Sequence, residues 1–193
     1  MKTKFFGIAI FSILLGACNG RGKKPDENVN AGADSSKVNT PTADKVQQAS
    51  ASINGIVSGY LQLKNALVNG DGGRAADAGR VIMEAVDKVD TSALSPAQKN
   101  AFADVADDIR ENAEHCRKNG NKIEHQREHF DILSQDMYAL VKSFHPSRTL
   151  YKDKCLMYNE NKGAFWLSET KEIKNPYYGK KMLTCGVIKE EIK

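Results

Sequence analysis

The chain has 193 residues, 40% hydrophobic and 27% charged, with 28 Lys/Arg against 24 Asp/Glu and a formal charge of +4. That length suffices for one domain with a sizeable core. The basic residues are scattered rather than gathered on one predicted face, so nucleic acid is not expected as a partner, and no pattern points to a small organic substrate.

The first residues read as a targeting segment. Lys2 and Lys4 give a charged start, Phe5 to Leu15 an apolar run too short to span a bilayer, and Gly16-Ala17 a small-residue cleavage site, so residues 1–17 are a signal peptide. Leu15-Gly16-Ala17-Cys18 resembles the lipobox of bacterial lipoproteins, which implies that Cys18 is lipidated and becomes the new N-terminus. The alternative is an ordinary secreted protein whose Cys18 merely follows the cut. Under lipidation, the non-acidic Asn19 implies the outer membrane over the inner, with the protein facing the periplasm. Cleavage removes Lys2 and Lys4 and lowers the formal charge from +4 to +2.

Export leads to an oxidising compartment, where a free thiol needs a reason to stay free. With Cys18 assigned to lipid, Cys116, Cys155 and Cys185 remain, and an odd count leaves at least one thiol unpaired or used as a ligand. Residues 18–45 are rich in Gly, Ser, Asn, Lys, Pro and Asp and read as a flexible tether from the membrane.

Residues 46–146 carry helical periodicity. Ile53, Ile56, Tyr60, Leu63 and Leu67 recur at spacings of three and four, and Asn69-Gly70-Asp71-Gly72-Gly73 ends that segment. Ala75, Ala78, Ile82, Ala85 and Val89 repeat the pattern. Ser95-Pro96 supplies a cap and a first-turn proline for a third segment, with Phe102, Val105, Ile109 and Cys116 on its stripe. Cys116 therefore reads as a buried structural thiol. Asn119-Gly120-Asn121 precedes a fourth stripe of Ile123, Phe130, Leu133, Met137, Leu140 and Phe144, which Pro146 closes. The expected fold is mainly α, an antiparallel up-down-up-down four-helix bundle. Residues 147–193 lose the helical period and should form a small β-containing cap on the bundle, with Leu150-Tyr151 and Val187-Ile188 as candidate strands. Phe165, Trp166, Tyr177 and Tyr178 are expected to dock it.

Within the cap, Cys155 and Met157 are two apart and share a face of an extended segment, and Met182 and Cys185 are three apart as in a turn. Two sulfur pairs thus bracket one loop. Thiolate and thioether suit Cu(I), and thiolate also suits Zn; a Cys155–Cys185 disulfide with methionines as core filler is the competing reading.

The blocks Cys155-x-Met157, Gly163-Ala164-x-Trp166-Leu167-Ser168, Ile173-x-Asn175-Pro176-Tyr177-x-Gly179 and Met182-Leu183-x-Cys185-Gly186 resemble the end of a family of uncharacterised bacterial lipoproteins. That domain is also found attached to periplasmic adaptor subunits of heavy-metal efflux pumps of the resistance-nodulation-division type. Tyr60-x-x-Leu63-Lys64-x-Ala66-Leu67 and Ile123-x-His125-Gln126-Arg127 extend the likeness into the helices. Leu156 stands where the family tends to have proline, so both donors survive without the fixed backbone between them. The resemblance implies a link to metal efflux or tolerance, with efflux components as partners.

All four histidines, His115, His125, His129 and His145, fall at or near the ends of the third and fourth helices. His125 and His129 are four apart, stack on one helical face, and lie roughly 110° and 70° from the apolar seam. An antiparallel pair of helices brings His115 close to them. The expected ligand set is Cys155, Met157, Met182 and Cys185, with His115, His125 and His129 completing the shell around Cu(I) or Zn; solvated polar roles are the alternative for His125 and His129. His125-Gln126-Arg127-Glu128-His129 also matches the H-x-x-E-H of inverted zinc peptidases. The pattern lies on an outward face without an enclosing cleft, so no enzyme is expected.

Overall fold

A computed structural model describes residues 43–193, with side chains from residue 51 onward. The expected signal peptide, Cys18 and the tether up to residue 42 lie outside the described residues. Four helices, α1 (Ala43–Asn69), α2 (Gly72–Asp87), α3 (Pro96–Lys118) and α4 (Ile123–Phe144), precede three strands, β1 (Leu150–Cys155), β2 (Ala164–Ser168) and β3 (Val187–Ile192). Helix α1 thus begins ahead of the expected tether boundary at residue 45.

Each helix packs against the next, and α1 also meets α4. The stripe Ile53, Ile56, Tyr60, Leu63 and Leu67 is buried along its length. Gly70 adopts φ +74°, a left-handed conformation that ends α1 without a Cβ penalty, and the Asp71 side chain then accepts from the Arg74 amide to start α2. At the start of α3, Ser95 and Gln98 cap each other reciprocally with Pro96 in the first turn. Helices α2 and α3 approach closely at Gly79, where a Cβ would come within 2.5 Å of the Ala113 carbonyl oxygen.

The strands form an antiparallel sheet in the order β2-β1-β3. Strands β1 and β3 contain the expected Leu150-Tyr151 and Val187-Ile188. Strand β2 was not anticipated; it pairs Asp153 with Trp166 and Cys155 with Ala164.

Aromatic rings join this cap to the helices. Tyr60 stacks on Phe130 with centroids 5.1 Å apart, Phe130 meets Tyr177 at 5.7 Å, and Tyr177 meets Trp166 at 6.0 Å. All four rings are buried. Phe165 lies to one side against Tyr138, and Tyr178 lies against Tyr158.

Polar groups fix the same junction. The Ser134 hydroxyl donates to the Phe130 carbonyl and so accepts from the Tyr60 hydroxyl at 2.7 Å; the Tyr60 oxygen in turn accepts from the Leu167 amide of β2 at 3.0 Å. Arg127, almost fully buried, donates to the carbonyls of Pro176 at 2.9 Å and Leu67 at 3.3 Å and pairs with Glu124 at 2.8 Å. One guanidinium therefore ties the cap, α1 and α4 together.

Candidate metal centre

The hairpin between α3 and α4 is locked by an exchange of hydrogen bonds around Cys116 and Gln126, both fully buried. The Gln126 amide donates to the carbonyls of Cys116 and Gly72, each at 2.9 Å, and the Cys116 thiol donates back to the Gln126 carbonyl at 3.6 Å. Burial pushes that thiol's pKa up to about 12, so Cys116 stays protonated and structural. Each of these two residues has a histidine beside it in sequence, and the lock sets His115 next to His125 and His129.

The three rings form a compact group. His115 and His129 stack with centroids 4.0 Å apart and planes 11° from parallel; His125 meets His129 edge-on at 4.6 Å and 84°. One nitrogen from each ring can be chosen so that all three lie within 4.8 Å of one another, and among the described residues this is the one such group of three or more His, Cys, Asp or Glu side chains. Nitrogens sharing a tetrahedral ion at the usual 2.0–2.1 Å lie about 3.4 Å apart, so the three would have to draw closer to share one. The edge-on pair already suits a shared ion, which lies near the plane of each ring it binds. The parallel pair does not, and His115, about half exposed, must turn out of its stack to join.

Acceptors surround the rings. His129 Nδ1 lies 2.9 Å from Asn112 Oδ1, His125 Nδ1 lies 3.1 Å from Glu128 Oε2, and His115 Nε2 lies 4.0 Å from Glu111. Burial, then the neighbouring rings of His115 and His125, pull the pKa of His129 below the usual imidazole value, which favours the neutral, ligating form. Glu128, the glutamate of the H-x-x-E-H pattern, meets His125 with its side chain 67% exposed.

The sulfur donors sit elsewhere. The β1–β3 ladder brings the ends of the cap loop together, leaving Cys155 Sγ 3.0 Å from Cys185 Sγ as free thiols. Buried Asn175 organises this end: its Oδ1 accepts from the amides of Tyr177 and Tyr178, and its Nδ2 donates to the Cys185 carbonyl at 2.7 Å. The contact with Cys155, followed by burial, raises the Cys185 pKa to about 11. Met157 is half exposed beyond β1, its carbonyl accepting from the Tyr178 hydroxyl, and the Met182 carbonyl accepts from the Cys185 amide. The imidazoles and the thiols are therefore two separate groupings.

His145 ends α4 at its far end. Asn112 escaped the reading of the sequence as a site residue. Its signal was an amide on the apolar seam, three residues after Ile109 and four before Cys116, where a buried polar group requires a partner.

Fold and site together define a mainly helical domain with a small antiparallel sheet and three converging imidazoles at a helix hairpin. Residues 56–149, just under half of the chain, match the family described as "Protein of unknown function (DUF3347)". The match includes all three histidines and ends before Cys155. No curated protein and no solved structure matches the chain.

Proposed function

We propose that this chain is a metal-binding protein of the cell envelope, centred on His115, His125 and His129. The observation that carries the reading is the convergence of three imidazole nitrogens within 4.8 Å on one locked hairpin. An all-imidazole set suits borderline ions, Zn(II) and copper among them, and an exposed edge on His115 leaves room for exchange. The lipobox-like Leu15-Gly16-Ala17-Cys18 supports a lipid-anchored, periplasm-facing location. The resemblance to lipoproteins and to adaptor subunits of metal efflux pumps supports a role in metal tolerance, with the helices as an up-down-up-down antiparallel bundle. Cys155 and Cys185, with Met157 and Met182 near them in sequence, form a second candidate centre for Cu(I). Calorimetric titration of the full chain with Zn(II) and with Cu(I) tests this: the His125→Ala/His129→Ala variant should lose the Zn(II) site. Equal affinity in variant and wild type removes it.

A second reading is favoured by the 3.0 Å thiol contact. In it Cys155 and Cys185 form a disulfide in the oxidising envelope, and the cap is a metal-free surface presented to an envelope partner. Mass analysis of unreduced protein tests the pairing: a crosslinked pair offers no thiolates and removes the Cu(I) centre, while a Zn(II) titration that shows no binding to the imidazoles leaves the metal-free surface standing.

A further inference from the structure

We propose that Asn112 is the positioning residue of the imidazole trio, holding His129 in the tautomer that carries its proton on Nδ1 and directs the Nε2 lone pair at a metal ion. The purpose of this device rests on the metal-binding reading; its geometry does not.

The argument begins with the sense of the amide. Asn112 Nδ2 donates to the Asp108 carbonyl one turn back at 2.8 Å, which leaves Oδ1 facing His129 Nδ1 at 2.9 Å. Rotating the amide by half a turn would set its oxygen against the Asp108 carbonyl oxygen, so the observed sense is fixed. A carbonyl oxygen only accepts, and His129 Nδ1 must therefore carry the hydrogen. A neutral imidazole has one such hydrogen, so its lone pair lies on Nε2.

Asn112 is also the acceptor best placed for the task. It is 7% exposed, whereas Glu128, which faces His125 Nδ1, has a side chain 67% exposed, and Glu111 is beyond hydrogen-bond range of His115. Asn112 stands on α3 and His129 on α4, so the bond orients the ring across the hairpin. An asparagine on a buried helical seam loses apolar packing and helix propensity relative to leucine. A partner that sets tautomer, ring orientation and basicity of a ligand accounts for its presence there.

Two measurements on the full-length chain test the proposal. Long-range proton–nitrogen NMR of the metal-free protein reads the tautomer of His129, and Co(II) titration followed by visible absorption reads the affinity. Wild type should show Nδ1–H and unprotonated Nε2. Asn112→Leu, similar in size but without an acceptor, should lose that preference and bind Co(II) about 10–100-fold more weakly. Asn112→Asp keeps an acceptor and should restore the tautomer and most of the affinity. A wild-type His129 protonated on Nε2 overturns the proposal without any variant, and so does an Asn112→Leu protein with unchanged spectrum and affinity. If wild type binds no Co(II), the metal-binding reading fails while the NMR spectrum still decides the role of Asn112.

Discussion

Arg127 donates its Nε hydrogen to the carbonyl of Pro176 at 2.9 Å, fastening the cap to α4. His125 and His129 lie two residues either side of Arg127, and at 100° per residue each points about 160° away from it. The cap is thus bound on one side of α4 and the imidazoles gather on the other, which keeps the sulfur donors and the histidines apart.

Arg127→Ala should therefore damage the fold and spare the proposed metal site. It leaves the carbonyls of Pro176 and Leu67 without donors in a buried junction, at a cost of about 2–4 kcal/mol. Urea unfolding should show that loss, and Zn(II) affinity should stay within about twofold of wild type, since a binding-site role would produce a tenfold change or more.

Zinc should stabilise the chain by mass action. At a free concentration 100 times its dissociation constant the gain is about 2.7 kcal/mol. His129→Ala should abolish the resulting rise in melting temperature. The gain should also shrink as pH falls, because protonated imidazoles do not bind.

Asp153 sets a pH dependence of the opposite sense. It is fully buried with no hydrogen-bond partner on either oxygen, and burial raises its pKa to about 7 against the pull of Lys64, which is itself held by Glu169 at 2.6 Å. The folded state thus keeps a proton that the unfolded chain, with a carboxyl near 3.8, gives up earlier. Stability from this group is complete below about pH 4 and lost as pH rises to about 7. Asp153→Asn carries no charge at any pH, so relative to wild type it should gain up to about 4 kcal/mol between pH 4 and 8. Denaturation at those two values reads the difference; a constant offset would assign the site a different cause.

Cys155 and Cys185 are close enough to pair under an oxidant. A disulfide oxidant such as oxidised glutathione would take up two electrons and two protons, becoming two reduced thiols as the protein sulfurs bond, and the mass should fall by two hydrogens. Closing this loop of about 30 residues should stabilise by roughly 3–4 kcal/mol in the chain-entropy model. In the reduced form the raised pKa of Cys185 should make it slow to alkylate at neutral pH. Rapid modification of Cys185 would contradict the close contact with the buried Cys155 thiol.

Local pattern made the helices legible: the stripe from Ile53 to Leu67, the Ser95-Pro96 start and the glycine-rich stop at Gly70 all depend on neighbours within a turn. The convergence of His115 with His125 and His129 follows from two such helices joined by a short turn. What the sequence hid is non-local. Ala164–Ser168 becomes a strand through its partners on β1, and the same ladder decides that Cys155 meets Cys185 rather than a histidine. Lys64, about 60° from the α1 seam, is 1% exposed, and its partner Glu169 lies more than a hundred residues away in sequence.

The bond from the Leu167 amide to Tyr60 bears on how the chain meets copies of itself. Strand β2 is an outer strand of the sheet, and an outer strand offers its unpaired amides as a template for another chain. Here the Leu167 hydrogen is already taken by a tyrosine from α1, so a stranger strand arriving on that side finds a donor missing from the row it must pair with. The opposite border, β3, exposes Val187 and Ile188 beside Lys189 and Glu191, while Glu190 is held by Tyr138 and Lys142. The α1 tyrosine that fastens the cap therefore also removes one donor from the β2 edge.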